Sequence, residues 1–293
     1  MLNQKHVTFY ARSSKVRIDV AERDVVLTYV LKVASEDLPG KLAFKGGTCL
    51  KKVYLGKTGR FSMDLDFTGV NLTPKSLRER LAALFSNREH FGIDFEISES
   101  YSRPKGASYG SIVRYSHDWN PGSELKVEVS FREKPILPIT ELPLIKELYF
   151  KYCEIQPFKV PCIQLEELLA EKIRAAFQRL TARDLYDLYL FSKRPYDRSR
   201  VRALVVIKCW NVKDLFNPDV LLGRIEKGRY DRSGLESLVR AGGLPSERTL
   251  VRSVLNGYSY LKDLNRDLAF IVKDSKSHRY PDHIDSLCDE LRG

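Results

Sequence analysis

Two hydrophobic rhythms divide the chain. Over residues 16–36, Val25, Val26, Tyr29, Val30 and Val33 recur at helical spacing and predict a helix, closed by the turn Asp37-Leu38-Pro39-Gly40. Leu42-Ala43-Phe44 is a short apolar run leading into Lys45-Gly46-Gly47-Thr48. A helix is expected from Thr48 to Tyr54, then a loop at Gly56-Lys57-Thr58-Gly59. Residues 60–68 alternate strictly and predict a strand, and residues 74–89 predict a basic amphipathic helix. Three further strands are expected over 92–101, 108–116 and 124–132.

Near residue 135 the rhythm changes. Pro135, Pro138, Pro143, Pro157 and Pro161 punctuate the next stretch, and from Gln164 helical periodicity dominates to the end. It breaks near Pro195, Pro218 and Gly242-Gly243-Leu244-Pro245. The expected organisation is an α+β lobe at 1–135, a Pro-rich connector at 136–163 and a helical lobe at 164–293.

Composition narrows the class. In 293 residues, 43% are hydrophobic and 30% charged, which excludes an intrinsically disordered chain. Apolar stretches break within about six residues, against the ~18–20 that a membrane span requires. The first residues carry no apolar leader core, so the expected setting is the cytoplasm, with no membrane partner. Five cysteines without a C-x-x-C pair point to reduced thiols, and His278 and His283 read as surface residues. The net charge of +11 fits either a protein that meets polyanions or a Lys/Arg-rich solvated surface.

Several residues then carry candidate chemistry. On strand 60–68, Ser62, Asp64 and Asp66 share one face, and Phe61, Met63, Leu65 and Phe67 the other. Two carboxylates in D-x-D spacing repel unless a cation lies between them, and an oxygen-only donor pair suits Mg²⁺; a polar solvent-facing sheet edge is the alternative. Gly46-Gly47-Thr48, at a predicted helix start, allows close backbone approach of an anion such as a triphosphate, or is an ordinary turn with Thr48 as cap. It is not a Walker A loop. On strand 124–132, Glu128 shares a face with Lys126 and Ser130, as a third carboxylate or as part of a surface Lys–Glu face. Lys172 sits inside the apolar stripe of helix 164–180, reaching for phosphates or snorkelling to water. Asp184 and Asp187 share a helix face, and Asp184 also closes a capping box with Thr181.

Two blocks, FKGGTCLKKVYLGKTGRFSMDLDF (44–67) and LEELLAEKIRAAFQRLTARDLYDLYL (165–190), resemble the AbiEii/AbiGii-type nucleotidyltransferase toxins, a family that includes the MenT proteins. The resemblance spans residues 20–195, with both blocks in the family's order. It places Gly46, Gly47 and Thr48 on the family's G-G/S turn, Thr48 replacing the commoner Ser. Asp64 and Asp66 fall on its metal-binding D-x-D, Lys172 on its essential lysine, and Asp184 and Asp187 on its R-D-x-x-D motif. Arg114 falls where the family carries a basic strand residue.

The resemblance implies a DNA-polymerase-β-like nucleotidyltransferase core with a helical C-terminal lobe. It also implies a toxin of a type IV toxin–antitoxin or abortive-infection system, with a winged-helix antitoxin as partner. The expected reaction is Mg²⁺- or Mn²⁺-dependent transfer of NMP from an NTP to an RNA acceptor, the tRNA 3′ end first among them. Asp64 and Asp66 would hold the metal, Gly46, Gly47, Thr48 and Ser62 the triphosphate, and Lys172 and Arg114 would neutralise phosphate charge. Asp187 or Asp184 would orient or deprotonate the acceptor. The alternatives are a nucleotidyltransferase that modifies protein, and a non-catalytic RNA-binding protein. Paired carboxylates facing a polyanion argue against the latter.

Charge is unevenly placed. Residues 1–60 hold twelve Lys and Arg against five Asp and Glu, and residues 193–232 eleven against five, so the carboxylates at issue lie between two basic segments.

Overall fold

A computed structural model describes residues 2–153, 155–274 and 281–293; His278 lies outside them. The chain divides into two units, residues 1–134, 139–163 and 237–242 in one, and 135–138, 164–236 and 243–293 in the other.

The first unit opens with α1 (Gln4–Ser14) and α2 (Ile18–Asp37), then β1 (Leu42–Lys45), the short turn α3 (Gly46–Cys49) and β2 (Asp64–Gly69). It continues with α4 (Pro74–Phe85), β3 (Arg88–His90), β4 (Ile93–Ser102), β5 (Ser108–His117), β6 (Asn120–Ser130), β7 (Thr140–Pro143), α5 (Leu148–Tyr152) and β8 (Lys159–Cys162). The strands form one mixed sheet in the order β3-β4-β5-β6-β2-β1-β8-β7. Its β2–β6 and β1–β8 pairs are parallel and the rest antiparallel. The D-x-D strand β2 therefore runs through the middle, with Leu65 and Phe67 buried on one face and both aspartates partly open on the other. Helix α2 packs against α1, α4 and β2, and α4 covers β3, β4 and β5.

The second unit holds α6 (Leu165–Gln178), α7 (Ala182–Phe191), α8 (Arg198–Asn211), α9 (Pro218–Lys227), α10 (Ser233–Glu236), α11 (Glu247–Tyr258), α12 (Arg266–Ile271) and α13 (Pro281–Arg292). Helix α6 packs on α7, α8 and α9, and α11 on α7 and α9. Buried Lys208 is held by Glu167 at 2.8 Å and Glu171 at 3.2 Å. Glu167 also accepts hydrogen bonds from the backbone N–H groups of Ile136 and Leu137, which fixes residues 135–138 to α6.

Several elements differ from the periodicity. Strand β2 starts at Asp64 instead of residue 60, because the Phe61 N–H bonds the carbonyl of Leu238 and not a strand neighbour. Helix α4 stops at Phe85, since Asn87 takes a left-handed φ of 52° and Arg88–His90 turns into β3. The stretch 136–163 is not a bare connector: it carries β7, α5 and β8. Its prolines mask those strands, and Pro143 is tolerated because β7 is a sheet edge, where one missing N–H breaks no ladder.

All five cysteines are buried, and none forms a disulfide with another described residue. No described helix is long and apolar enough to cross a membrane.

Candidate active site

Strand register assembles the chemistry of the first unit. In the parallel β2–β6 pair, Asp64 stands beside Lys126 and Asp66 beside Glu128. Lys45 stands beside Asp66 from β1, Gly110 beside Glu128 from β5, and Tyr101 beside Gly110 from β4. Paired residues share a face, so Lys45, Asp66, Glu128, Gly110 and Tyr101 form one row across five strands, with Asp64 and Lys126 in the next row.

The glycine turn is built against this row. Gly46 has a φ of +76°, open to glycine and strained for other residues, and a Cβ there would overlap the Asp66 carboxylate, whose Cγ would lie 2.8 Å away. A Cβ on Gly47 would fall 2.9 Å from Arg60 Nη2 and 3.0 Å from Ser62 Oγ. The two missing side chains therefore admit Asp66 on one side and Arg60 and Ser62 on the other. Thr48 is buried and its hydroxyl donates to the backbone carbonyl of Asp64, tying turn to strand. Replacing Gly46 by Ala is expected to cost about 1–3 kcal/mol through backbone strain, and to displace Asp66 as well. Urea midpoint and turnover should both fall, whereas Gly40→Ala, also at positive φ but in open space, should lower only the midpoint.

Glu128 is firmly held. It pairs with Lys126, lies 3.8 Å from Arg103 Nη2, and accepts a hydrogen bond from the Tyr101 hydroxyl at 3.2 Å. Burial pushes its carboxyl up, but Lys126, then Arg103 and Tyr101, outweigh this and hold it below the usual carboxylate range. Burial in turn depresses the Lys126 ammonium, and Glu128 and Tyr101 more than reverse it, raising it above the ordinary lysine value. The ammonium also lies 5.3 Å from the Tyr101 ring centroid. That ring lies over Gly110, where a Cβ would overlap it.

The donors on this face fit a hard divalent cation. Asp64 and Asp66 offer carboxylate oxygens, and Mg²⁺ or Mn²⁺ typically takes one or two such ligands and completes its shell with water and phosphate oxygens. Among the described residues no three His, Cys, Asp or Glu side chains converge as a ready ligand set, and Glu128, one strand from Asp66, is engaged by Lys126.

Arg114 does not join this group. It lies four residues further along β5 than Gly110, about 13 Å away at strand rise. There it is exposed and lines a separate cleft of about 520 Å³ with Arg88, Glu89, Asp94 and Glu96.

In the helical unit, Lys172 Nζ meets Asp187 Oδ2 at 2.8 Å, with side-chain exposures of 11% and 2%. The lysine in the apolar stripe thus ends on a buried carboxylate and does not snorkel to water. Asp184 serves the cap. Thr181 Oγ1 accepts from the Asp184 N–H at 3.2 Å, and Asp184 Oδ2 accepts from the Thr181 N–H at 3.3 Å and from Arg179 Nε at 3.2 Å.

Burial raises the Asp184 carboxyl, but the charges of Lys172 and Arg179 outweigh it and hold it below its ordinary value. A depressed carboxylate stabilises the fold fully above its unfolded pKa of about 3.9 and loses that contribution as pH falls through the folded value. Asp184→Asn is therefore expected to cost stability at pH 7, about 1 kcal/mol for the cap alone. Its deficit in urea midpoint should shrink below pH 4.

The sequence reading did not single out Tyr101, Arg103, Lys45 or Arg60. A buried cluster also escaped it. Lys52 Nζ bonds Asp24 Oδ1 at 2.9 Å and Thr28 at 2.8 Å, Lys51 bonds Glu147 at 2.9 Å, and the Tyr10 hydroxyl donates to Asp24 at 2.8 Å. Both lysines sit buried on the π-helical turn Leu50–Leu55.

The first unit thus carries a glycine turn locked against a D-x-D strand, and the helical unit a buried Lys–Asp pair. Residues 29–229 match the family model described as nucleotidyl transferase AbiEii toxin, type IV TA system, and the chain belongs to that family. Among solved structures it resembles MenT4, the nucleotidyltransferase toxin Rv2826c from Mycobacterium tuberculosis H37Rv. That likeness has a TM-score of 0.85 at 25% identity and covers 100% of both chains. No curated protein sequence matches it.

Proposed function

We propose that this toxin transfers an NMP from an NTP to the 3′ end of tRNA and so blocks translation. Family membership supports nucleotidyl transfer. The observation that carries the metal- and nucleotide-binding part is the abutment of Gly46 on Asp66, which sets a side-chain-free backbone turn against the D-x-D strand. The sheet follows the polymerase-β-like plan in this reading.

Asp64 and Asp66 hold Mg²⁺ or Mn²⁺, which when bound supplies charge neutralisation at the phosphates. Gly46, Gly47, Thr48 and Ser62 cradle the triphosphate. Glu128 activates the attacking hydroxyl or supports a second cation. Lys172, oriented by Asp187, neutralises charge on the phosphates. The acceptor oxygen bonds the α-phosphorus, the bond to the bridging oxygen breaks, pyrophosphate leaves, and the hydroxyl proton passes to a carboxylate. The protein acts in the cytoplasm, where tRNA and NTPs are abundant, and a winged-helix protein is its antitoxin.

The test incubates purified protein with Mg²⁺, each α-labelled NTP and total tRNA, then separates RNA from polypeptide. Label in RNA supports the reading. Label in polypeptide, or none, overturns it.

A further inference from the structure

Lys126 has no role in the reading above, yet it occupies the position beside Asp64 on the carboxylate face. Its ammonium is held by Glu128 and by the face of Tyr101. The pair is reachable, with side-chain exposures of 31% for Lys126 and 19% for Glu128. Charges of both signs crowd this face: Asp64, Asp66 and Glu128 stand among Lys45, Lys126 and Arg103, with Arg60 at the glycine turn.

Such a face offers little net field to a bare cation or to a bare polyphosphate. It suits the two together, provided that one ion pair opens. Lys126–Glu128 is the pair whose members each match one newcomer, a carboxylate for a cation and an ammonium for a phosphate.

We propose that Lys126 is a substrate-binding residue that trades partners: Glu128 passes to the divalent cation while the Lys126 ammonium passes to the nucleotide's phosphates, so that metal and nucleotide bind cooperatively. Tyr101 is the positioning residue. Its ring fits because position 110 is glycine, and its hydroxyl anchors Glu128 from the β4 side of the row, opposite Asp66, so that the carboxylate keeps its place once the lysine leaves. No covalent step is involved. The inference rests on the assignment of Asp64 and Asp66 to a cation.

Mn²⁺ binding by electron paramagnetic resonance, without nucleotide, tests it directly. Lys126→Met removes Glu128's competitor, so Mn²⁺ should bind about three- to fivefold more tightly than to the wild type, the scale of a partly exposed ion pair. A fluorescent, non-hydrolysable NTP analogue with saturating Mn²⁺ should bind about tenfold more weakly, the scale of one charge-assisted contact to phosphate. A merely structural lysine would weaken both or move neither.

Lys126→Gln, which keeps much of the side-chain length, serves if the methionine variant folds poorly and should move both affinities the same way. Tyr101→Phe should lower Mn²⁺ affinity while leaving the thermal midpoint near that of the wild type. Unchanged or weaker Mn²⁺ binding in the folded Lys126 variants overturns the exchange, even if Asp66→Asn abolishes binding. Mn²⁺ binding that Asp66→Asn does not reduce overturns the metal assignment and the exchange with it.

Discussion

Asp24→Ala is expected to destabilise the protein by about 3–5 kcal/mol, enough to unfold a marginal domain at 37 °C. Asp24 is 1% exposed, and it accepts from Lys52 and Tyr10 and lies 3.7 Å from Lys51. Burial raises its carboxyl, but the two lysines more than reverse this and hold it below the usual range. Without it, Lys51 keeps Glu147 but Lys52 is left with neutral partners such as Thr28 and Tyr149, and burial already depresses Lys52 even with Asp24 present. The urea midpoint read by circular dichroism checks the expectation, and a loss below 1 kcal/mol would show the cluster to be hydrated. Its lysines lie on the π-helical turn Leu50–Leu55, which directly follows Gly46–Cys49, so loosening the cluster should also blur the glycine turn.

Asp66→Asn is the counterpart at the surface. It should lower nucleotidyl transfer by about a thousandfold, the scale of a lost metal-borne charge stabilisation of some 4 kcal/mol. The fold should be intact, because Asp66 is only partly buried and asparagine keeps its shape. Initial rates and thermal midpoints on the same preparations check both halves. A rate within tenfold of wild type would place the cation elsewhere.

Alternation alone exposed the aspartates of β2, since period two fixes which side chains share a face whatever the neighbouring strands are. It could not show which strand lies next to β2. The parallel β2–β6 pairing spans some sixty residues of sequence, and only that register makes Glu128 the neighbour of Asp66. The same limit hid Tyr101, whose part depends on a glycine one strand away, and the position of Arg114, four residues along β5 from Gly110 and two from Ile112, the neighbour of Lys126. Lys172 was legible as an anomaly because a helix stripe is local. Its partner Asp187 is fifteen residues on and reaches it only through the packing of α6 on α7. The buried Asp24 cluster left no signal, because α2 is buried on nearly every side and its charged residues look like an exposed face.

Transfer of a nucleotidyl group at the Asp64–Asp66 face can be followed in parallel reactions with α-³²P and γ-³²P NTP, Mg²⁺ and total tRNA. α-Label should enter RNA, with γ-label appearing in equal amount as pyrophosphate and both lost in Asp66→Asn. γ-Label joined to an acceptor, or α-label incorporation that survives Asp66→Asn, would contradict nucleotidyl transfer at this face.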